Sequence, residues 1–344
     1  MPLETVRNQI HIRRKKNDVV FQNIARLWQL HETAISQQDI LDGLHPWAGP
    51  IQLKFDNQLP YVLAGLGLFL CSSLIIDASN VYVQITFAVG LAMSFWAWLS
   101  YETDKPIQEV IQALENKVIS FKYGLHYFAM PPHLSLPINA QMLPVKLKQL
   151  FPLFNLGSIA NDFPVYASTF WEDDHGQQHS VLIFQYRYVT EITLRDKNGD
   201  KVRVKEVEQY LYGTFVFESQ KFQGLAFSSQ KRNFASPYQT TWKTSDILLN
   251  QKLNIFGVNQ ITLAKQMTPA NVLKFDQFFQ HQDGSLIFHP EQHCLCFLGK
   301  KNLFQASAKK QEIYDISALR GYLRTFRLPY LEQLKTDLTT LLKN

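Results

Sequence analysis

Two uncharged apolar runs constrain this chain more than any other feature. Leu59–Ile76 reads LPYVLAGLGLFLCSSLII, and Val81–Tyr101 reads VYVQITFAVGLAMSFWAWLSY. Asp77-Ala78-Ser79-Asn80 lies between them. At about 1.5 Å per helical residue, runs of roughly 18–20 residues approach the ~30 Å hydrocarbon thickness of a bilayer. The linker is too polar to continue one helix, so the pattern predicts a tight transmembrane helical hairpin over residues 59–101. Aromatic anchors are expected at its ends: Trp47 and Tyr61 at the first span, Trp96, Trp98 and Tyr101 closing the second. Such rings prefer the headgroup level because one part is apolar and another hydrogen-bonds to water. Small residues four apart, Gly67 and Cys71 on one span and Ala88 and Ala92 on the other, are where the helices are expected to approach.

Charge gives the orientation. The linker carries no Lys or Arg, whereas Lys54, Lys105 and Lys117 flank the hairpin and Arg13-Arg14-Lys15-Lys16 lies upstream. The positive-inside rule then puts both flanks in the cytoplasm. The first apolar run starts too late for an amino-terminal signal peptide, so the first span is expected to act as its own uncleaved signal. The expected location is a bacterial inner membrane, multi-pass, with both termini cytoplasmic. The predicted domains are an amphipathic cytoplasmic segment (1–58), the hairpin (59–101) and a cytoplasmic α+β domain (102–344). The Arg13, Arg14, Lys15 and Lys16 cluster reads as a solvated charge run or as a patch attracted to anionic lipid.

The composition excludes several classes. With 46% hydrophobic and 18% charged residues the chain is not an intrinsically disordered one. Three cysteines give no even-numbered disulfide framework, which suits a reducing compartment for the main domain. The net charge of +5 is spread thinly, unlike the concentrated basic face of a nucleic-acid binder.

Hydrophobic periodicity sets out the remaining elements. Three- and four-residue steps predict helices over Asp18–Leu44, where Val20, Ile24, Leu27 and Trp28 recur, and over residues 105–122. Leu143–Phe154 suggests a short helix. From Phe163 the period changes to two: VYASTFW, SVLIFQYRYV and EITLRD read as strands, and Asn198-Gly199 marks a hairpin turn. Further strands are expected at Lys201–Lys205, Tyr210–Glu218, Gly224–Ser228, Leu253–Phe256 and Gln260–Ala264, with a loop over Ser229–Gln251. Thr268-Pro269 opens a helix, as cap and first helical residue. Leu286–His289, Cys294–Leu298 and Asn302–Ala306 suggest a three-strand meander, and two helices divided by Pro329 end the chain. The fold class is α+β with antiparallel strands behind the hairpin.

Chemical motifs are sparse. The chain has no dinucleotide fingerprint, Walker loop, His-Glu-x-x-His or Gly-x-Ser-x-Gly, so no catalytic residue is assigned and no cofactor is expected. His289, His293, Cys294 and Cys296 have short spacing suited to zinc, or they form a strand–turn–strand with both thiols on one face. Glu172-Asp173-Asp174-His175, followed by His179, could hold a cation or form an exposed hairpin loop.

The order of features resembles the bacterial membrane-anchored "domain of unknown function 3137" family. The resemblance lies in LKQLFPLFNLGSIANDFPVYASTFWEDDHGQQHSVLIFQYRY, in YGTFVFESQKFQG and in TSDILLNQKLNIFGVNQITLAKQMTPANVLKFDQFFQHQDGSLIFHPEQHCLCFLG. It implies a membrane-anchored bacterial protein with a cytoplasmic α+β domain and supplies no catalytic residues. The functional expectation is a non-enzymatic adaptor or binding module. Its partners would be the lipid bilayer, and anionic lipid headgroups or a protein, but not nucleic acid. The alternative is a membrane-tethered hydrolase or metal-dependent enzyme.

Overall fold

The computed structural model describes residues 15–75, 81–131, 143–172, 176, 178–195, 201–217, 219, 221–230, 234–307 and 313–343. The chain divides into two compact units: residues 1–121 with 308–326, and residues 122–307 with 327–344. This division is not in chain order, because residues 308–326 return to the first unit.

The first unit is helical. Helices α1 (Lys15–Thr33) and α2 (Gln37–Gly43) replace the single helix expected over Asp18–Leu44. Ser36 causes the break. Its hydroxyl accepts from the Asp39 amide while the Asp39 carboxylate accepts from the Ser36 amide, a reciprocal capping box that starts a new helix. The apolar stripe of α1, Val20, Ile24 and Leu27, is buried with Val110, Ile111, Leu114 and Val118 of α5 (Lys105–Tyr123). α3 (Gln58–Cys71) and α4 (Val81–Ser100) lie between these in the chain. Ile316, Leu319 and Leu323 of α10 (Ile316–Thr325) complete the cluster. Two buried polar residues on α1 bind the segment before α3. Asn23 donates to the Pro50 and Gln52 carbonyls, both at 2.9 Å, and Asn17 accepts from the Asp56 amide at 2.8 Å. Buried amides are tolerated here because each satisfies backbone groups that would otherwise lose water.

The second unit is built on one nine-stranded antiparallel sheet, in the order β1-β2-β3-β4-β9-β8-β5-β7-β6. Its strands are β1 (His126–Tyr127), β2 (Ala160–Glu172), β3 (Gln178–Arg195), β4 (Lys201–Phe217), β5 (Leu225–Ser228), β6 (Thr240–Trp242), β7 (Asn254–Gly257), β8 (Gly284–Phe288) and β9 (Cys294–Gly299). The α+β class and the antiparallel pairing agree with the sequence pattern. SVLIFQYRYV and EITLR, through Arg195, form one long strand, β3. Asn198-Gly199 lies outside the described residues.

One register row crosses all nine strands: His126, Ser168, Leu182, Phe215, Cys296, Ile287, Ala226, Phe256 and Thr241. Its middle residues are buried on the same sheet face, covered by Phe151 and Phe154, which follow α6 (Leu143–Leu150). Phe215 sits at the centre, with ring centroids 4.8 Å from Phe184, 5.4 Å from Phe151 and 5.8 Å from Phe154. The opposite face packs on α9 (Pro269–His281): Phe275 stacks on Phe227 at 3.8 Å and Phe278 meets Phe297 edge-on at 5.6 Å. α11 (Pro329–Leu342) lies beside α9.

Three local expectations change. Gln260–Gln266 is a helix, α8, because Asn259 caps it by accepting from the Thr262 amide at 2.8 Å. Asn302–Ala306 is a turn, in which Asn302 accepts from the Phe304 amide through its side chain and from the Gln305 amide through its carbonyl. The segment expected as a loop, Ser229–Gln251, contains β6 and begins α7 (Ile247–Lys252), capped by Asp246. The Thr268 cap is as expected: its hydroxyl accepts from the Asn271 amide, with Pro269 at the first helical position.

Phe215→Ala removes the ring at the crossing of the sheet row and the covering aromatics. It should cost about 3–5 kcal/mol of unfolding free energy in the full chain, read by denaturant titration.

Candidate membrane interface

The largest exposed apolar surface among the described residues belongs to α3 and α4. The stretch Val81–Tyr123 contains one segment long and apolar enough to cross a membrane, and that segment is α4. α3 is shorter, fourteen residues, and runs on into a 3-10 turn at Ser72–Ile75. Together they rise about 21 Å and then a further ~8 Å, close to the ~30 Å of α4's twenty residues.

The two helices meet backbone to backbone. A Cβ on Gly67 would lie 2.8 Å from the Gly90 carbonyl oxygen, and one on Gly90 would lie 2.7 Å from the Gly67 carbonyl oxygen. Only glycine permits that approach. Cys71 Sγ reaches toward the Phe87 carbonyl at 3.9 Å, and Ser73 and Thr86 hydroxyls pair at 3.0 Å. At the other end Asn57 holds both helix ends: its side chain donates to the Glu102 carbonyl at 2.8 Å and accepts from the Glu102 amide at 3.1 Å. α3 and α4 therefore run antiparallel. Gly67 and Cys71 stand at the contact as expected, but their partners are Gly90 and Ser94. Ala88 and Ala92 face outward, because the contact stripe of α4 runs through residues 87, 90, 94 and 97.

The rest of the surface is apolar and open. Leu68, Phe69, Ile85, Val89, Leu91 and Phe95 are all exposed, Phe69 at 73%. At the end held by Asn57 stand Tyr61, Trp96, Trp98 and Tyr101, all exposed, with the Tyr61 and Tyr101 rings edge to face at 5.9 Å. Tyr82 is exposed near the other end, at 80%. Trp47 is placed differently. It packs on the helical cluster, donates to Asn23 Oδ1 at 3.2 Å and lies under the Arg26 guanidinium at 3.9 Å. Arg13 and Arg14 lie outside the described residues, and Lys15 and Lys16 open α1.

The His/Cys group does not assemble. Cys294 and Cys296 point into the sheet core, where burial pushes the Cys294 thiol up to about 12 and the Cys296 thiol well above its ordinary value. His289 Nδ1 accepts from the Glu291 and Gln292 amides at 3.1 and 2.9 Å, which closes the β8–β9 turn, and burial lowers its pKa. His293 is exposed, with φ of 46°, beside the Gln223 amide. Among the described residues no group of three or more His, Cys, Asp or Glu side chains could hold a metal. In the acidic segment, Glu172 ends β2 and His179, in β3, pairs with Trp171, while Asp173, Asp174 and His175 lie outside the described residues.

Compared with protein-family models, with curated proteins and with solved structures, the chain matches none.

Three outcomes follow from this geometry. Gly67→Leu should destabilise the detergent-solubilised chain by about 1–3 kcal/mol, whereas Ala88→Leu on the outward face should change it by less than ~0.5 kcal/mol, both read by thermal unfolding. The native thiols of Cys294 and Cys296 should resist a hydrophilic alkylating reagent at pH 8 and react once the chain is unfolded. Their folded pKa lies above the ordinary 9.0. Above pH 9 the unfolded chain therefore loses protons that the native one keeps, and stability falls as pH rises from about 9 toward 12.

Proposed function

We propose that this chain is a membrane-anchored bacterial protein whose α3–α4 pair inserts as a helical hairpin in the inner membrane. Both flanking regions then lie on the cytoplasmic side. The sheet unit acts as a non-enzymatic adaptor or binding module, for a protein partner or for anionic lipid headgroups. One observation carries the anchor: two apolar helices expose apolar side chains on most of their surface away from their mutual seam. In water such a surface would cost free energy in proportion to its area, and soluble monomers rarely keep one of this extent. In hydrocarbon it costs nothing, and helical backbone bonds meet the requirement that polar groups be satisfied internally. The aromatic residues at the Asn57 end fit the headgroup level. The bacterial source and the adaptor role are supported by the family resemblance and by the lack of a recognisable catalytic motif.

After cell breakage, the protein should stay in the membrane pellet through high salt and alkaline carbonate and be released by detergent. Recovery in the soluble fraction would overturn the proposal. For orientation, Ser79→Cys in a Cys71→Ser background should react with an impermeant thiol reagent added to intact spheroplasts. Labelling only after lysis would reverse the topology.

A further inference from the structure

Four lysines converge on one cavity of about 320 Å³ in the sheet unit. Lys221 follows β4, Lys265 is on α8, Lys274 is on α9, and Lys343 follows α11. Phe222, Gln266 and Asn271 complete the lining, and none of these residues is acidic. Cationic side chains gathered from four separate places raise one another's electrostatic energy, and a concave wall focuses their field on a small volume.

Two of the lysines are held in place by backbone carbonyls at the carboxyl end of α11. Lys221 donates to the Leu342 carbonyl, and Lys274 to the Lys343 carbonyl at 2.9 Å, which positions both ammonium groups at the cavity. An ammonium carries three protons, and this carbonyl takes one of those on Lys274. Asn271 sits in the first turn of the thirteen-residue α9, where the helix dipole presents partial positive charge. Gln266 contributes the opposite polarity. Its Nε2 donates to the Gln223 carbonyl at 3.1 Å, while its Oε1 is buried with no hydrogen-bond partner among the described residues.

We propose that this cavity binds a phosphate-bearing ligand. The lysine ammonium groups take the negative oxygens, Lys265 and Lys274 foremost. A free phosphate or phosphomonoester and a glycerol-phosphate lipid headgroup share this chemistry. Exposed Ile261, one helical turn before Lys265, and exposed Leu273, beside Lys274, place apolar side chains next to the basic ones. The site deepens the binding-module part of the proposed function and does not depend on insertion of the hairpin.

The test is lysine acylation footprinting of the full chain in phosphatidylcholine nanodiscs, read lysine by lysine by mass spectrometry. One arm adds inorganic phosphate or glycerol phosphate; the other replaces part of the lipid with phosphatidylglycerol. Acylation of Lys265 and Lys274 should slow about tenfold at saturation, with Lys300 and Lys301 unchanged. Slowing by the soluble probes assigns a free phosphate, and slowing only in the phosphatidylglycerol discs assigns a headgroup. Lys265→Gln should abolish the protection at Lys274 at the same probe concentration while leaving the unfolding temperature unchanged. No slowing in either arm, or equal slowing at Lys300 and Lys301, overturns the site. Membrane extraction reads the hairpin alone, so failure of one proposal is distinguishable from failure of the other.

Discussion

The backbone of α3 touches the backbone of α4 at Gly67 and Gly90, and the character of the helical unit follows from that contact. Two apolar helices cannot gain from the hydrophobic effect by burying side chains against each other if the surroundings are equally apolar. What holds such a pair is close packing, and close packing needs atoms removed from the seam. Glycine removes them at the crossing, and the large side chains are displaced to the outside. The exposed rings and branched chains of α3 and α4 are thus the other side of a tight seam. Asn57 fixes the open end of the pair by occupying the backbone groups of Glu102.

The sheet unit solves the reverse problem. Its strands must bury apolar residues on both faces, so large aromatic side chains are drawn inward in register. The row through Leu182, Phe215, Cys296, Ile287 and Ala226 is closed by Phe151 and Phe154 on one side of the sheet, while α9 closes the other with Phe275 and Phe278. Gly213 shows how tight the sheet is: a Cβ there would collide with the Phe297 carbonyl oxygen and lie 2.8 Å from the Phe184 ring. The same packing explains the fate of the two cysteines. A thiolate ligand needs a solvated or cationic setting, and the centre of a phenylalanine-lined sheet supplies neither.

Legibility in the sequence tracked how local each determinant was. Caps and turns with a side-chain signature were readable: Thr268-Pro269 opens α9 where it was expected. Ser36 and Asn259 carry the same kind of cap: Ser36 splits one amphipathic stripe into two helices, and Asn259 turns a short apolar run with a strand-like pattern into α8. Helix and strand are ambiguous for runs that short, and the cap decides. The return of α10 to the helical unit could not be read, because Ile316, Leu319 and Leu323 are an ordinary amphipathic stripe until their partners on α1 and α5 are known. The lysine cavity was invisible for the same reason: residues 221, 265, 274 and 343 share no spacing.

The sequence by itself determined that about forty residues without charge, apart from the linker's Asp77, stand apart from a polar α+β remainder, since hydrophobicity is a sum over neighbours in the chain. It also determined the antiparallel character of the strands, through their alternation and turn residues. Tertiary structure alone decided which small residues face across the α3–α4 seam, Gly90 and Ser94 rather than Ala88 and Ala92. Both choices keep four-residue spacing, and only the partner's surface distinguishes them. It alone placed Cys294 and Cys296 inside the sheet, away from solvent, and drew four distant lysines to one cavity, because such groupings depend on contacts between segments that are far apart in the chain.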